Sequence, residues 1–150
     1  MPTTVHATIF IARPPEAVTA VMLDPAQMVH WTSDLERFEV VEGKGGEAGA
    51  VARLHYVQGG NRYVMQDELL SVEPNRRYVS RVSGDALTAQ VETALVPIDG
   101  GTQVAIRWSG SGKTALVRIM LPFMRRRIAG QALADLTKLK NLVESLPPAV

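Results

Sequence analysis

The sequence predicts an α+β domain in which a curved, seven-stranded antiparallel sheet wraps around a long C-terminal helix, with two short helices after strand 1. Three observations lead to this prediction. Segments of alternating apolar and polar residues fill most of residues 4–108, short turns rich in glycine or proline separate them, and a helical apolar period begins after Lys113. The length of 150 residues suits one domain, residues 1–150, whose core needs no disulfides.

The N-terminal segment predicts one strand and two short helices. Apolar residues stand at every second position from Val5 to Ile11, which is typical of a half-buried strand over residues 4–12. Pro15 has the fixed φ that suits a first helical turn, so a helix is expected over residues 17–23. Asp24-Pro25 ends it, and a second helix is expected over residues 26–31.

Six further strands are expected as a meander. Their predicted ranges are residues 38–41, 50–57, 62–72, 77–82, 87–96 and 102–108. The connections between them are only a few residues long, whereas a parallel pair would need a crossover of about a dozen residues. Every neighbouring pair is therefore expected to be antiparallel.

The C-terminal third predicts a long helix, with Pro122 as a natural restart point. A helix of about 24 residues would be roughly 36 Å long. Its apolar stripe is expected at Ala129, Leu133, Leu136, Lys140 and Val143, widened by Leu139, Leu142 and Leu146. Because a single apolar stripe must be buried, we expect the helix to pack against the sheet.

The composition excludes several kinds of site. The chain has no cysteine, and its three histidines lack metal-ligand spacing, so we expect no disulfide, no thiolate chemistry and no metal. Residues 110–114, GSGKT, resemble part of a phosphate-binding loop, but Arg107 stands where that loop needs glycine. We interpret the segment as a turn and expect no cofactor. With neither a secretory signal nor a long apolar run, a cytoplasmic location is expected.

The charge is unevenly distributed along the chain. The net charge of +1 indicates no nucleic-acid partner. Residues 1–100 carry 8 Lys/Arg and 13 Asp/Glu, whereas residues 101–150 carry 8 and 2. The basic end is interpreted as a solvated helix face or as a surface where Arg125, Arg126 and Arg127 make peripheral contact with an acidic membrane or protein. No pattern in the sequence indicates an oligomeric state.

Four segments resemble the SRPBCC, or START-like, superfamily. IFIARPPEAVTAVMLDPAQMVHW resembles its first strand and Pro-Pro-Glu helix start, LLSVEPNRRYVSRV its mid-sheet turn, ALVPIDGGTQVAI its late hairpin, and LADLTKLKNLVES its closing helix. The resemblance covers about the whole chain and is greatest to the polyketide cyclase/dehydrase and lipid transport subgroup. It implies the helix-grip fold, with a cavity between the concave face of the sheet and the long helix. Members of this superfamily range from enzymes to carriers, so the fold does not fix the function.

The predicted cavity is lined by one face of each strand, because alternate side chains share a face. A bulge near Leu70 is expected to shift this alternation before Val72. The candidate ligand-binding residues are Trp31, Leu54, Tyr56, Tyr63, Met65, Asp67, Tyr78, Ser80, Val91, Thr93, Trp108, Met120, Phe123 and Met124. The tryptophans have a second interpretation as core fillers, and Met120, Phe123 and Met124 are interpreted as a compliant gate or as plain packing.

Asp67 is the acidic residue in this set. A buried carboxyl needs a hydrogen bond or takes a raised pKa. One interpretation places it at the rim or bonded to backbone; the other makes it an acceptor for a ligand hydroxyl or amine, or a general base and the candidate catalytic residue. The leading hypothesis is the binding or carriage of a small hydrophobic ligand such as a lipid, polyketide or aromatic. The alternatives are a polyketide cyclase/dehydrase-type enzyme that uses Asp67 and a pocket tyrosine, and a protein- or membrane-interaction module that uses the basic helix.

Overall fold

The computed structural model describes residues 2–147. The strands are β1 (Thr3–Ile11), β2 (Leu35–Glu42), β3 (Val51–Gln58), β4 (Asn61–Glu73), β5 (Arg77–Ser83), β6 (Leu87–Ile98) and β7 (Gly101–Gly112). The helices are α1 (Pro15–Met22), α2 (Pro25–Trp31), α3 (Ala115–Met120) and α4 (Arg125–Ser145), with the 3₁₀ turn η1 (Leu121–Met124) between the last two. The predicted fold class, with its two short helices after strand 1, is confirmed.

The seven strands form one antiparallel sheet in the order β1-β7-β6-β5-β4-β3-β2. Since β1 and β2 are the two edges, the chain must cross the sheet between them, and α1 and α2 make that crossing on the face that α4 also covers. That face is the concave side of the sheet. The short hairpins between the other strands explain why each neighbouring pair is antiparallel.

The strand register places the alternating residues on the expected faces. Asp67 lies opposite Ala52 on one side and opposite Val82 on the other, so all three share the concave face. The pairing of β4 with β5 shifts between Leu69 and Ser71, which confirms the predicted bulge near Leu70. The bulge shifts the alternation before Val72, as the sequence predicted, so that Val72 lies on the concave face with Leu69.

The main core lies under the C-terminal half of α4. Leu136, Leu139 and Val143 are almost fully buried there against β1, β7 and α1. Leu133 and Leu146 are 47% and 45% exposed, so these two members of the predicted stripe are not buried, whereas Ala129 is half-buried. Ala132, next to Leu133, packs against the core instead.

A smaller, separate core lies at the other edge of the sheet. Leu35, Ala52 and Leu54 are buried there. Partly buried side chains from α2 and strands β2 to β4 pack around them, namely Met28, Val29, Phe38, Tyr56 and Met65. The two cores therefore anchor opposite edges of the same concave face.

Two predicted boundaries were wrong near the C-terminal helix. Strand β7 continues to Gly112, so Gly110 to Gly112 belong to a strand and not to a turn. A Cβ at Gly112 would lie 2.5 Å from the backbone nitrogen of Arg118, and glycine thus lets α3 fold back against β7. The predicted division of the helical segment at Pro122 is confirmed, but Pro122 itself falls in η1 and α4 begins only at Arg125. Within residues 2–147, no helix is both long and apolar enough to cross a membrane.

Candidate ligand-binding site

The long helix is held firmly to the sheet at its C-terminal end. The guanidinium of Arg13 donates a hydrogen bond to the backbone oxygen of Glu144 at 2.9 Å, and the N–H of Ala12 donates to the Glu144 carboxylate at 2.8 Å. The ammonium of Lys140 donates to the backbone oxygen of Phe10 at 2.8 Å. Charge-assisted hydrogen bonds of this length are strong, so this end of α4 is fixed.

The N-terminal end of α4 is held much less firmly. Between Arg125 and Ala134 no side chain is buried, whereas three are buried in the second half of the helix. One hydrogen bond to β1 spans this end, from the Arg125 guanidinium to the backbone oxygen of Thr4 at 3.5 Å. The N-terminal half of α4 is therefore less deeply buried against the sheet than the C-terminal half.

A group of concave-face residues lies between the two cores; we call it the central patch. Its members are Asp67, Ser80, Val82, Val91, Thr93 and Trp108. Val82, Val91 and Trp108 are only partly buried, and none of these three packs against either core. A concave surface that is mostly apolar and carries a few polar groups has the composition of a small-molecule site.

Trp108 forms the floor of the central patch because its neighbour on that face is a glycine. A Cβ at Gly110 would overlap the indole ring of Trp108. The ring therefore lies flat along β7, above the backbone of Gly110. Across the sheet, Trp108 is the partner of Val91 on β6 and of Val5 on β1.

Asp67 gives the central patch its ionisable group. Burial raises the pKa of the Asp67 carboxyl to about 6. Within residues 2–147, no protein group forms a hydrogen bond with this carboxyl, and the residue keeps part of its accessible surface. The interpretation that the Asp67 carboxyl is bonded to backbone is therefore wrong for the described part of the chain. The carboxyl is free to accept a hydrogen bond from a bound molecule.

Two stacked tyrosines lie along the same face beyond Asp67. The rings of Tyr56 and Tyr63 are 5.0 Å apart between centroids and inclined by 13°. Burial, then the neighbouring Tyr63 and the Asp67 charge, raise the pKa of the Tyr56 hydroxyl. The Tyr56 hydroxyl therefore stays protonated at neutral pH and can act as a hydrogen-bond donor.

The Asp135 carboxylate of α4 lies at the tyrosine end of the site. Asp135 accepts hydrogen bonds from the backbone N–H of Ser33 at 3.1 Å and from the Ser33 hydroxyl. Burial is the largest influence on the Asp135 carboxyl and raises its pKa. These bonds attach the segment after α2 to the middle of α4.

The fourteen predicted site residues fall into three groups. Five lie in the central patch: Asp67, Ser80, Val91, Thr93 and Trp108. Five pack into or against the cores: Trp31, Leu54, Tyr56, Met65 and Tyr78. The remaining four are exposed: Tyr63, Met120, Phe123 and Met124. Their roles as ligand contacts all stay predictions.

Two of the packed residues have polar atoms worth separate notice. The Tyr78 hydroxyl accepts a hydrogen bond from the backbone N–H of Asn75 at 2.9 Å, which ties it to the β4–β5 turn. The Trp31 indole nitrogen is buried without a hydrogen-bond partner among the described residues, although the ring packs against the main core.

Val82 was missing from the predicted site, yet its position opposite Asp67 followed from the strand alternation.

An open groove of about 470 Å³ lies between β1 and the segment that joins η1 to α4. Thr4 and Val5 of β1 form one wall, and Phe123, Arg125 and Arg126 form the other. Val5 is also the cross-strand partner of Trp108, so the groove and the central patch have a common neighbour on β1.

Comparison with protein families identifies the chain. The model of the family described as "Polyketide cyclase / dehydrase and lipid transport" matches residues 2–144. The protein belongs to this family, within the SRPBCC, or START-like, superfamily that the four sequence segments resemble. Comparison with curated protein sequences gave no match.

Solved structures share the same fold at low sequence identity. The Zhui aromatase/cyclase from Streptomyces sp. R1128 is similar with a TM-score of 0.75 and 20% identity, over 96% of this chain and 94% of that one. A START superfamily protein from Mycobacterium smegmatis gives 0.76 and 18%, over 96% and 99%. The protein TTHA0849 from Thermus thermophilus gives 0.75 and 20%, over 95% and 98%. These similarities show that the chain has the helix-grip fold.

Proposed function

We propose that this protein binds and carries a small hydrophobic molecule, such as a lipid, polyketide or aromatic compound, between the concave face of the sheet and α4. The observation that carries the proposal is the central patch. Val82, Val91 and Trp108 present apolar surface on the inner face and pack against neither core. Leaving such surface without a protein partner is unfavourable unless another molecule covers it.

The polar groups of the patch indicate the orientation of that molecule. Asp67 is an acceptor without a protein partner in the described chain, and the hydroxyls of Ser80 and Thr93 lie on the same face. A ligand with a hydroxyl or amine at one end would satisfy Asp67 and place its apolar part over Trp108. Covering about 300 Å² of apolar ligand surface contributes roughly 7–8 kcal/mol before the costs of association, which supports micromolar binding.

Filling the site with a protein side chain tests the proposal. Val91→Trp places an indole in the central patch, and Val96→Trp places the same group on the opposite face of β6, where Val96 is 49% exposed. We expect Val91→Trp to weaken binding of anilinonaphthalene sulfonate at least tenfold and to stay folded, because the added side chain enters free space. Val96→Trp should bind the dye as the wild type does. Calorimetric titration measures both affinities.

Two results would contradict this proposal. Unchanged dye binding by Val91→Trp would show that the dye binds elsewhere. A loss of about 1–3 kcal/mol in unfolding free energy for Val91→Trp, with none for Val96→Trp, would show that the space is already filled, since that is the usual cost of overpacking a core.

The second candidate function is a cyclase/dehydrase-type reaction. Asp67, with its pKa of about 6, is mostly ionised at pH 7 and faces the same space, and so meets the requirement for a general base. Tyr56, protonated at neutral pH, would be the proton donor. With a poly-β-ketone thioester mimic as substrate, Asp67→Asn should abolish turnover while dye affinity is kept. If the wild type turns the substrate over and Asp67→Asn does so at the same rate, Asp67 takes no part in the chemistry.

A further inference from the structure

The α3–η1 segment exposes an apolar stripe instead of burying one. Leu116, Ile119, Met120 and Phe123 follow the spacing i, i+3, i+4 and i+7, which places them within about 100° of one helix face. Their exposed fractions are 67%, 65%, 47% and 87%. Such a stripe normally faces the core of a protein, and here it faces outward.

The inner face of the same segment is already occupied. Leu121 is 3% exposed, and the Arg118 guanidinium donates a hydrogen bond to the backbone oxygen of Gly112 at 3.1 Å. The close approach at Gly112 fixes α3 against β7. The segment therefore cannot rotate to bury its outer stripe without breaking these contacts, so the stripe is a stable feature of the surface.

The charges around the stripe have a single sign. Residues 113–134 contain five cations, Lys113, Arg118, Arg125, Arg126 and Arg127, and no Asp or Glu. On the sheet, by contrast, several arginines pair with carboxylates, as in Arg62 with Glu36 at 2.8 Å and Arg77 with Glu92 at 2.9 Å. A surface that combines protruding apolar side chains with unmatched arginines is complementary to a layer of anionic headgroups above hydrocarbon.

We propose that the α3–η1 stripe (Leu116, Ile119, Met120 and Phe123), flanked by Arg125 to Arg127, docks the protein on an anionic lipid bilayer. The stripe enters the boundary between headgroups and acyl chains, and the arginines contact lipid phosphates. The open groove beside Phe123 then faces the membrane. The docking proposal rests on this surface alone, and it does not depend on which molecule the central patch binds.

Co-sedimentation of the full chain with vesicles tests the docking surface. We expect binding to phosphatidylcholine vesicles that contain about 30% phosphatidylserine, weak binding to phosphatidylcholine alone, and a clear loss on raising the salt from roughly 0.1 M to 1 M, because the screening length falls from about 10 Å to about 3 Å. Replacing Arg126 and Arg127 by Gln should lower the partition coefficient about 25-fold, at about fivefold for each arginine near the surface.

The apolar contribution needs its own variant and control. Leu116→Gln with Ile119→Gln removes two stripe residues that were not predicted to line the pocket, and should lower partitioning by on the order of tenfold. The matched control is Val64→Gln with Val96→Gln, which removes similarly exposed side chains from the outer face of the sheet and should partition as the wild type does. Dye affinity, measured on the same samples, should be unchanged in both double variants.

Three results would overturn the docking proposal. The first is equal binding to neutral and acidic vesicles. The second is partitioning that the stripe variant leaves intact. The third is a dimer in sedimentation velocity that the stripe variant dissociates, because the stripe would then be covered by a second copy of the chain.

Discussion

The sharpest consequence of the site geometry concerns the charge of Asp67. Burial raises the pKa of its carboxyl from the ordinary value of 3.8 to about 6 in the folded protein. The folded chain therefore holds this proton over a range of pH in which the unfolded chain has released it. Stability should fall as the pH rises from about 4 to about 6, and the whole cost is present above pH 6. Replacing Asp67 by Asn removes the charge and keeps the shape.

The size of the effect follows from the difference between the two pKa values. At 1.36 kcal/mol per unit of pKa, a rise from 3.8 to about 6 corresponds to about 3 kcal/mol. Asp67→Asn should thus be more stable than the wild type by about 3 kcal/mol at pH 7 and equally stable below about pH 4. Such a gain on removing a native carboxylate is typical of groups retained for binding or chemistry.

Urea denaturation followed by circular dichroism from about pH 4 to about pH 7.5 measures this difference. The control is Asp99→Asn, in the exposed turn between β6 and β7, which should stay close to the wild type throughout. A difference between Asp67→Asn and the wild type that is constant with pH would refute the reasoning. So would a loss of stability in Asp67→Asn at pH 7, since the carboxylate would then have a favourable partner in the folded protein.

Two further substitutions test the packing around the site, each with a matched control. Gly110→Ala should lower the unfolding free energy by about 1–3 kcal/mol, because the new methyl group displaces the Trp108 ring. Its control, Gly130→Ala on open helix surface, should raise the unfolding free energy by about 0.5–1 kcal/mol. A Gly110→Ala variant as stable as the wild type would mean that the Trp108 ring lies elsewhere. Leu136→Ala should cost about 2–5 kcal/mol and the exposed Leu133→Ala much less, and equal costs would contradict the burial of Leu136 and the exposure of Leu133.

The faces of the strands could be predicted from the sequence because a strand has a period of two. Once Leu54 is assigned to the inner face, Tyr56 and Ala52 follow, and cross-strand pairing extends the choice to Asp67 and Val82. The bulge at Leu70 could be predicted for the same reason, since Leu69 and Val72 cannot share a face in a regular strand. Local periodicity thus predicted most of the fold and placed five of the six central-patch residues on the concave face.

The exposure of one helical stripe and the burial of the other could not be predicted in this way. A helical period identifies an apolar face but not the element that covers it, so the stripes at Leu116 and at Leu136 look alike in the sequence. Only the contacts of Gly112 with α3 and of Arg13 with the end of α4 decide which stripe is buried. The contact of Arg13 with α4 joins residues more than 100 positions apart, and composition does not indicate such contacts.

Methyl NMR of the protein titrated with a hydrophobic dye or fatty acid tests most directly whether the central patch is an open binding surface. The methyl resonances of Val82 and Val91 should shift in proportion to ligand bound, while those of Val64 and Val96, on the outer face of the sheet, should stay in place. Shifts confined to the outer face, or saturation of binding with the Val82 and Val91 resonances unmoved, would contradict the account.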